Sequence, residues 1–323
     1  MTRKRRHRQF ASSFAAVVVM VLSFLSVRSV AWADPGSDIN PPIPAEDLSL
    51  APPGANDWNC RPSDAHPRPV ILVHGTAADM ATTWRVLSPE LKAEGYCVFS
   101  LNYGGAKMVI PPFKTVYGVT DIRLSARQLA QFVDTVLSRT GSSQVDIVGH
   151  SQGGTLARQY LKFEGGANSA DPASNKVRTL VTLGATNHGT TWAGDILQRL
   201  YELAASLGFG SEAAYQFLFG MAMSQQTVGS PLLQDLNADG DTEAGVMYTV
   251  IASRADNMVT PPERTFLSTN GRAADVNNIW VQDGCPSDQT AHTSLTFDAR
   301  SLHLVKVGLD PSYADRHPAP CGS

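Results

Sequence analysis

The sequence predicts an open, mostly parallel α/β sheet of about six core strands with helices on both faces. Three observations predict it. From Pro69 onward, short apolar runs alternate with longer helical patterns, the rhythm of parallel strands joined by crossover helices. The runs are nearly continuous in Val, Ile and Leu, as expected of strands covered on both faces. No internal repeat and no mid-chain linker interrupts them, so residues 69–323 read as one enzyme-sized domain.

The strands are expected at Val70–Val73, Cys97–Leu101, Val145–Val148, Val177–Leu183, Met247–Ala252 and Ile279–Gln282. Between the first two, Ser88-Pro89 reads as an N-cap and first helical residue, with Gly95 as the stop. A longer helix is expected from about Asp121 to Leu137, where Ile122, Ala126, Leu129, Val133 and Val136 recur on one face. Another should follow Ser151, with Leu156, Tyr160 and Leu161 toward the sheet and the small pair Gly153-Gly154 letting it approach closely.

The amino terminus has a different character. Arg3, Lys4, Arg5, Arg6 and Arg8 precede an uncharged stretch from Phe10 to Val27, followed by Ala31-Trp32-Ala33. A basic region, an apolar region and a small-x-small site together read as a secretory signal peptide, residues 1–33, cut after Ala33. An uncleaved anchor is the alternative, and Arg5-Arg6 leaves the export route open. Residues 34–68, rich in Pro, Asp and Asn without periodicity, read as a meandering arm tied down through Cys60.

Removing residues 1–33 takes away six Lys/Arg and no acid, leaving 20 basic against 29 acidic groups and a net charge near −9. That balance carries no basic nucleic-acid footprint. The four cysteines, Cys60, Cys97, Cys285 and Cys321, form an even count in a chain read as exported, so disulfides are expected in one of three connectivities. Their clustering favours Cys60–Cys97 and Cys285–Cys321, each contributing about 3–4 kcal/mol on the chain-entropy account. No Cys/His spacing fits a metal site.

The chemistry gathers around Gly149-His150-Ser151-Gln152-Gly153, which follows the Val145–Val148 run and precedes a helical stretch. A serine raised on a tight strand-to-helix turn is an exposed nucleophile, and flanking glycines relieve the crowding where the backbone reverses. A neutral hydroxyl needs a base, an acid to orient that base, and donors for the developing oxyanion. On such a sheet the acid and then the base follow the serine in the chain.

Asp256, four residues past the Met247–Ala252 strand, is the leading acid, and Asp283 after the next strand is the runner-up. Asp298 comes after the favoured base and breaks the order. His292, in the loop after the last strand, is that base, with Cys285 restraining the loop if it is bridged. His303 sits in an apolar pattern and reads as a helix-surface residue, while His188 and His150 precede the acid and read as turn or supporting residues. The oxyanion donors are expected to be the backbone N–H groups of Gln152, next after the serine, and Thr76, in the His74-Gly75-Thr76 loop after the first strand. With a neutral His292 as base, activity should rise through a histidine-like pKa and peak at neutral to mildly alkaline pH.

These stretches together resemble the secreted, actinobacterial-type lipases and esterases of the α/β-hydrolase fold, the class 2 lipases. The matching motifs are Pro69-Val70-Ile71-Leu72-Val73-His74-Gly75-Thr76 with Trp84 downstream, Gly95-Tyr96-Cys97-Val98-Phe99 leading to Tyr103-Gly104, and Val148-Gly149-His150-Ser151-Gln152-Gly153-Gly154. Leu183-Gly184-Ala185-Thr186-Asn187-His188-Gly189-Thr190, the Asp256 turn ending Val259-Thr260-Pro261, and the His292 loop continue the likeness in order, over roughly residues 58 to 310. The resemblance implies hydrolysis of carboxylic esters through an acyl-enzyme, without a cofactor. The partner is an ester or lipid substrate, with transient contact at a lipid interface and a monomeric enzyme expected.

Two segments lie outside that core. Residues 189–230 are helix-prone and strongly apolar around Phe217–Met223, and they read either as a cap lining an acyl-chain pocket or as core helices. Asp235-Leu236-Asn237-Ala238-Asp239-Gly240-Asp241 resembles the first half of a calcium loop, but Val246 stands at the twelfth position and a strand follows. An acidic turn is the expected reading. Acyl transfer to an alcohol or sugar and depolymerisation of a polyester would use the same residues. A non-catalytic lipid-binding protein of this fold is the reading from another class.

Overall fold

The computed structural model describes residues 50–107, 114–192, 220–269 and 274–321. The expectations for residues 1–33, for 34–49 of the arm and for 193–219 of the cap segment lie outside them. The chain divides into two units, and all that follows concerns the larger, Asn40–Ala106 with Val116–Ser323.

Six strands form one fully parallel sheet: β1 (Val70–Val73), β2 (Val98–Leu101), β3 (Val145–His150), β4 (Val177–Leu183), β5 (Met247–Ala252) and β6 (Asp275–Trp280), in the order β2-β1-β3-β4-β5-β6. Among the described residues the α-helices are α1 (Met80–Thr83), α2 (Leu87–Ala93), α3 (Ile122–Thr140), α4 (Gln152–Phe163), α5 (Met221–Gln225), α6 (Pro231–Asn237), α7 (Ala299–Leu309) and α8 (Tyr313–Arg316). The expected fold class is the one observed.

Because side chains alternate along a strand, neighbouring apolar residues serve opposite faces. Ile71, Val73, Phe99 and Ile147 pack with α3, α4 and α6 on one side. Val70, Leu72, Val98 and Val148 pack with α2 and α7 on the other. Each such fully buried Val, Leu or Ile contributes about 1.5–3 kcal/mol, which is why the central strands read as unbroken apolar runs.

Four sequence expectations need correction. The last strand covers Asp275–Trp280, not Ile279–Gln282. It is one of the two edge strands and partly exposed, so its Asp275, Asn277 and Asn278 hid it from an apolar pattern. Ser88 is not an N-cap: α2 starts at Leu87 after Val86, and Ser88 is buried in the first turn. The long helix starts after Asp121, which caps it through Arg123 N, but continues to Thr140 and stops at Gly141. His303 is buried in α7, its ring centroid 5.5 Å from that of Tyr313, and is no surface residue.

From Leu50 onward the arm is tied down as its cysteine suggested. Cys60–Cys97 joins it to the start of β2, and the Asn56 side chain pairs with the Ser100 backbone through bonds of 2.9 and 2.8 Å. The second bridge, Cys285–Cys321, links the loop after β6 to the carboxyl-terminal tail. Both pairings are those favoured by sequence clustering.

Candidate active site

Ser151 stands between β3 and α4 with φ 54° and ψ −125°. A non-glycine residue there stores about 1–3 kcal/mol of strain, so the surroundings must hold it. Its N–H donates to Leu183 O at 2.8 Å, and Gly154 N returns to Ser151 O at 3.1 Å. The turn is possible because two neighbours lack side chains. A Cβ on Gly149 would lie 2.6 Å from Gly154 N, and one on Gly153 only 2.2 Å from Val73 O.

Asp256 and His292 meet at the same carboxyl edge of the sheet. His292 Nδ1 donates to Asp256 Oδ2 at 2.7 Å, and both side chains are buried. The other carboxylate oxygen accepts from Met258 N at 2.8 Å and Val259 N at 2.9 Å, so the acid is fixed from both sides. A carboxylate only accepts, which puts the imidazole proton on Nδ1 and leaves Nε2 as the basic nitrogen. Gly184, the residue after Leu183, lies directly against the pair: a Cβ there would be 3.1 Å from both Asp256 Oδ2 and His292 Nδ1. The chain contact from Ser151 to Leu183 and this close approach bring Ser151, Asp256 and His292 to one end of β4.

The remaining expected residues also gather here. Thr76 follows β1, and its hydroxyl oxygen accepts from Gln152 Nε2 at 3.1 Å, so the two residues chosen as oxyanion donors are linked through their side chains. Gln152 is the first residue of α4, a position whose backbone N–H has no partner within the helix. The His74-Gly75-Thr76 loop is braced from below, where Tyr103 Oη donates to His74 O at 2.6 Å and the two rings stack at 4.4 Å. Burial pushes the pKa of His74 down to about 4.

Gln226 was not singled out by the sequence. It is fully buried, donates through Nε2 to Thr76 Oγ1 at 2.9 Å and Ala222 O at 2.9 Å, and accepts from Thr186 Oγ1 at 3.0 Å. Its place in the site comes from a contact across 150 residues, for which no local pattern exists.

The residues weighed as alternatives to Asp256 and His292 make other contacts. Asp283 accepts from Trp280 N at 3.1 Å in an exposed turn, and Asp298 caps α7 through Ser301 N at 2.8 Å. His188 Nε2 lies 3.2 Å from Asp241 Oδ2. Asp241, at the end of the expected acidic turn, is buried 3.7 Å from Arg158 and accepts from Ser268 N at 2.8 Å. A resident guanidinium thus sits where a calcium reading would need open carboxylates, and no cluster of metal-ligating side chains occurs among the described residues.

Of the 189–230 segment, the described ends are firmly seated. Gln225 of α5 accepts from Ile122 N at 2.8 Å and donates to Asp121 Oδ1 at 2.8 Å, fixing α5 to the start of α3. No helix among the described residues is long and apolar enough to cross a membrane.

The model of the family described as lipase (class 2) matches residues 67–298. A triacylglycerol lipase of Burkholderia plantarii is 28% identical over 208 residues, covering 62% of this chain and 51% of that protein. One from Pseudarthrobacter phenanthrenivorans is 29% identical over 161 residues, covering 48% and 44%. The chain therefore spans about half the length of the curated relatives it matches. In fold it is similar to the crystal structure of Aspergillus fumigatus lipase B, with a TM-score of 0.57 at 20% identity over 84% of this chain and 56% of that one.

Proposed function

Since the chain belongs to the class 2 lipase family, we propose that it is a secreted serine ester hydrolase, a triacylglycerol lipase or carboxylesterase working through an acyl-enzyme on Ser151. The observation that carries this reading is the buried 2.7 Å Asp256–His292 hydrogen bond beside a serine held at φ 54° on a strand-to-helix turn.

In the proposed reaction Ser151 Oγ attacks the ester carbonyl carbon while His292 Nε2 takes the hydroxyl proton. Asp256 keeps the other ring proton on Nδ1 and stabilises the imidazolium. Negative charge grows on the carbonyl oxygen, where the backbone N–H groups of Gln152 and Thr76 receive it, each such donor being worth about 3 kcal/mol. The intermediate collapses, the C–O bond to the alcohol breaks, and the alcohol leaves with the proton from His292. Water then attacks the acyl-enzyme with His292 again as base, releasing the carboxylate and restoring Ser151. The two disulfides and the signal-like amino terminus support secretion. The apolar 189–230 segment supports a cap over the acyl chain.

The test is turnover of p-nitrophenyl esters from two-carbon to long-chain acyl groups, below and above their solubility. Wild type should turn over at least part of the series and Ser151→Ala none of it. Wild-type rates in a folded Ser151→Ala protein would end the proposal.

A further inference from the structure

His150, the last residue of β3 and the neighbour of Ser151, is a buried titratable group to which the proposed mechanism gives no task. Its ring lies beside that of His292, with centroids 4.8 Å apart at 43°, and its Nε2 is 3.1 Å from the His292 carbonyl oxygen. A carbonyl only accepts, so Nε2 carries the ring proton and Nδ1 is bare. Nδ1 is buried without a hydrogen-bond partner. An orphaned buried N–H would be the costlier arrangement, which favours the same tautomer.

His292 opens a short 3-10 turn rather than lying in the sheet, so its backbone must be positioned by bonds from elsewhere. One hydrogen-bonded route joins the two residues through this contact: Ser151, the peptide to His150, its ring, and the bond to the His292 backbone. We propose that His150 is a positioning residue whose Nε2–H···O=C bond to His292 sets the placement of the base relative to Ser151. This inference rests on the reading of Ser151 and His292 given above.

The groups facing the ring suit that task. Burial first, and then the neighbouring charge of His292, hold the pKa of His150 down to about 3, with His74 adding in the same direction. The ring therefore stays uncharged while His292 takes up and gives back its proton. A second imidazolium at this distance would oppose the one that forms in catalysis.

The experiment compares His150→Leu with His150→Gln, whose Nε2 can reach the position of the imidazole Nε2. On a short, soluble ester, His150→Leu should lower kcat about 10- to 100-fold, the scale of a small misplacement, with KM within about twofold. His150→Gln should recover most of that loss. Wild-type kcat in His150→Leu, or a His150→Gln variant as slow as His150→Leu at a wild-type Tm, would overturn the inference. Should the leucine variant fail to fold, nitrogen NMR of the wild-type ring decides. The Nε2–H tautomer, unchanged from pH 5 to 9, is expected, and an Nδ1–H tautomer or a titration in that range refutes it. Loss of the underlying reading is a separate outcome, since it would appear as wild-type protein with no Ser151-dependent turnover.

Discussion

Asp256 holds His292 with one carboxylate oxygen and the Met258 and Val259 N–H groups with the other. This division of labour fixes which way an amide replacement would turn. In Asp256→Asn the carbonyl oxygen must stay toward Met258 N and Val259 N, because only it can accept their protons. The amide NH2 then faces His292 Nδ1, strips that nitrogen of its proton and moves it to Nε2, the atom that should act as base. We expect kcat to fall about 10³–10⁴-fold with an unchanged melting temperature. A loss below tenfold in steady-state kinetics would mean that His292 does not depend on Asp256 for its tautomer.

Gly184 tests the same pair from the side. Its φ is +55°, and a methyl group there would meet Leu295 Cδ1 at 2.9 Å as well as the two bonded atoms of the Asp–His pair. Gly184→Ala should therefore destabilise the fold by about 1–3 kcal/mol in urea titrations and lower kcat at least tenfold in the protein that remains folded. Wild-type kinetics in that variant would show that the edge of β4 does not set the geometry.

His74 and His150 make a prediction about stability and pH. Their folded pKa values, about 4 and about 3, lie below the ordinary value of 6.5. Near pH 5 the unfolded chain therefore binds a proton at each that the folded chain does not. Stability contributed by the neutral rings is fully present above about pH 6.5 and is lost as pH falls toward the folded values. Each histidine should add about 1.4 kcal/mol per pH unit to the slope between about pH 4.5 and 6. Urea titrations across that range should give shallower slopes for His74→Asn and His150→Gln, each by about one proton. Slopes equal to wild type would contradict the burial of neutral rings.

Much of this arrangement was legible in the sequence, and what was not has physical reasons. The four inner strands announce themselves because burial on both faces favours apolar residues, and β2, at one edge, is buried throughout as well, whereas β6, at the other edge, is partly exposed and carries Asp275, Asn277 and Asn278. Ser151, Asp256 and His292 could be chosen because each follows a strand and their order along the chain is constrained. The choice of Thr76 and Gln152 rested on the same logic, and the structure ties them together through Thr76 Oγ1. Gln226 and the His150–His292 contact had no such signal, since both depend on residues more than a hundred positions apart meeting in three dimensions. The Arg158–Asp241 pair had no signal either, because an acidic turn does not show in the sequence that a guanidinium from α4 lies 3.7 Å from its last carboxylate.

The central claim, that Ser151 is a nucleophile activated by His292 and Asp256, is tested most directly by covalent labelling. Wild-type protein treated with a fluorophosphonate should gain one phosphonyl adduct, mapped by mass spectrometry to Ser151, and Ser151→Ala should gain none. Folded wild-type protein that stays unlabelled, or an adduct on another residue that accompanies loss of ester turnover, would contradict the account.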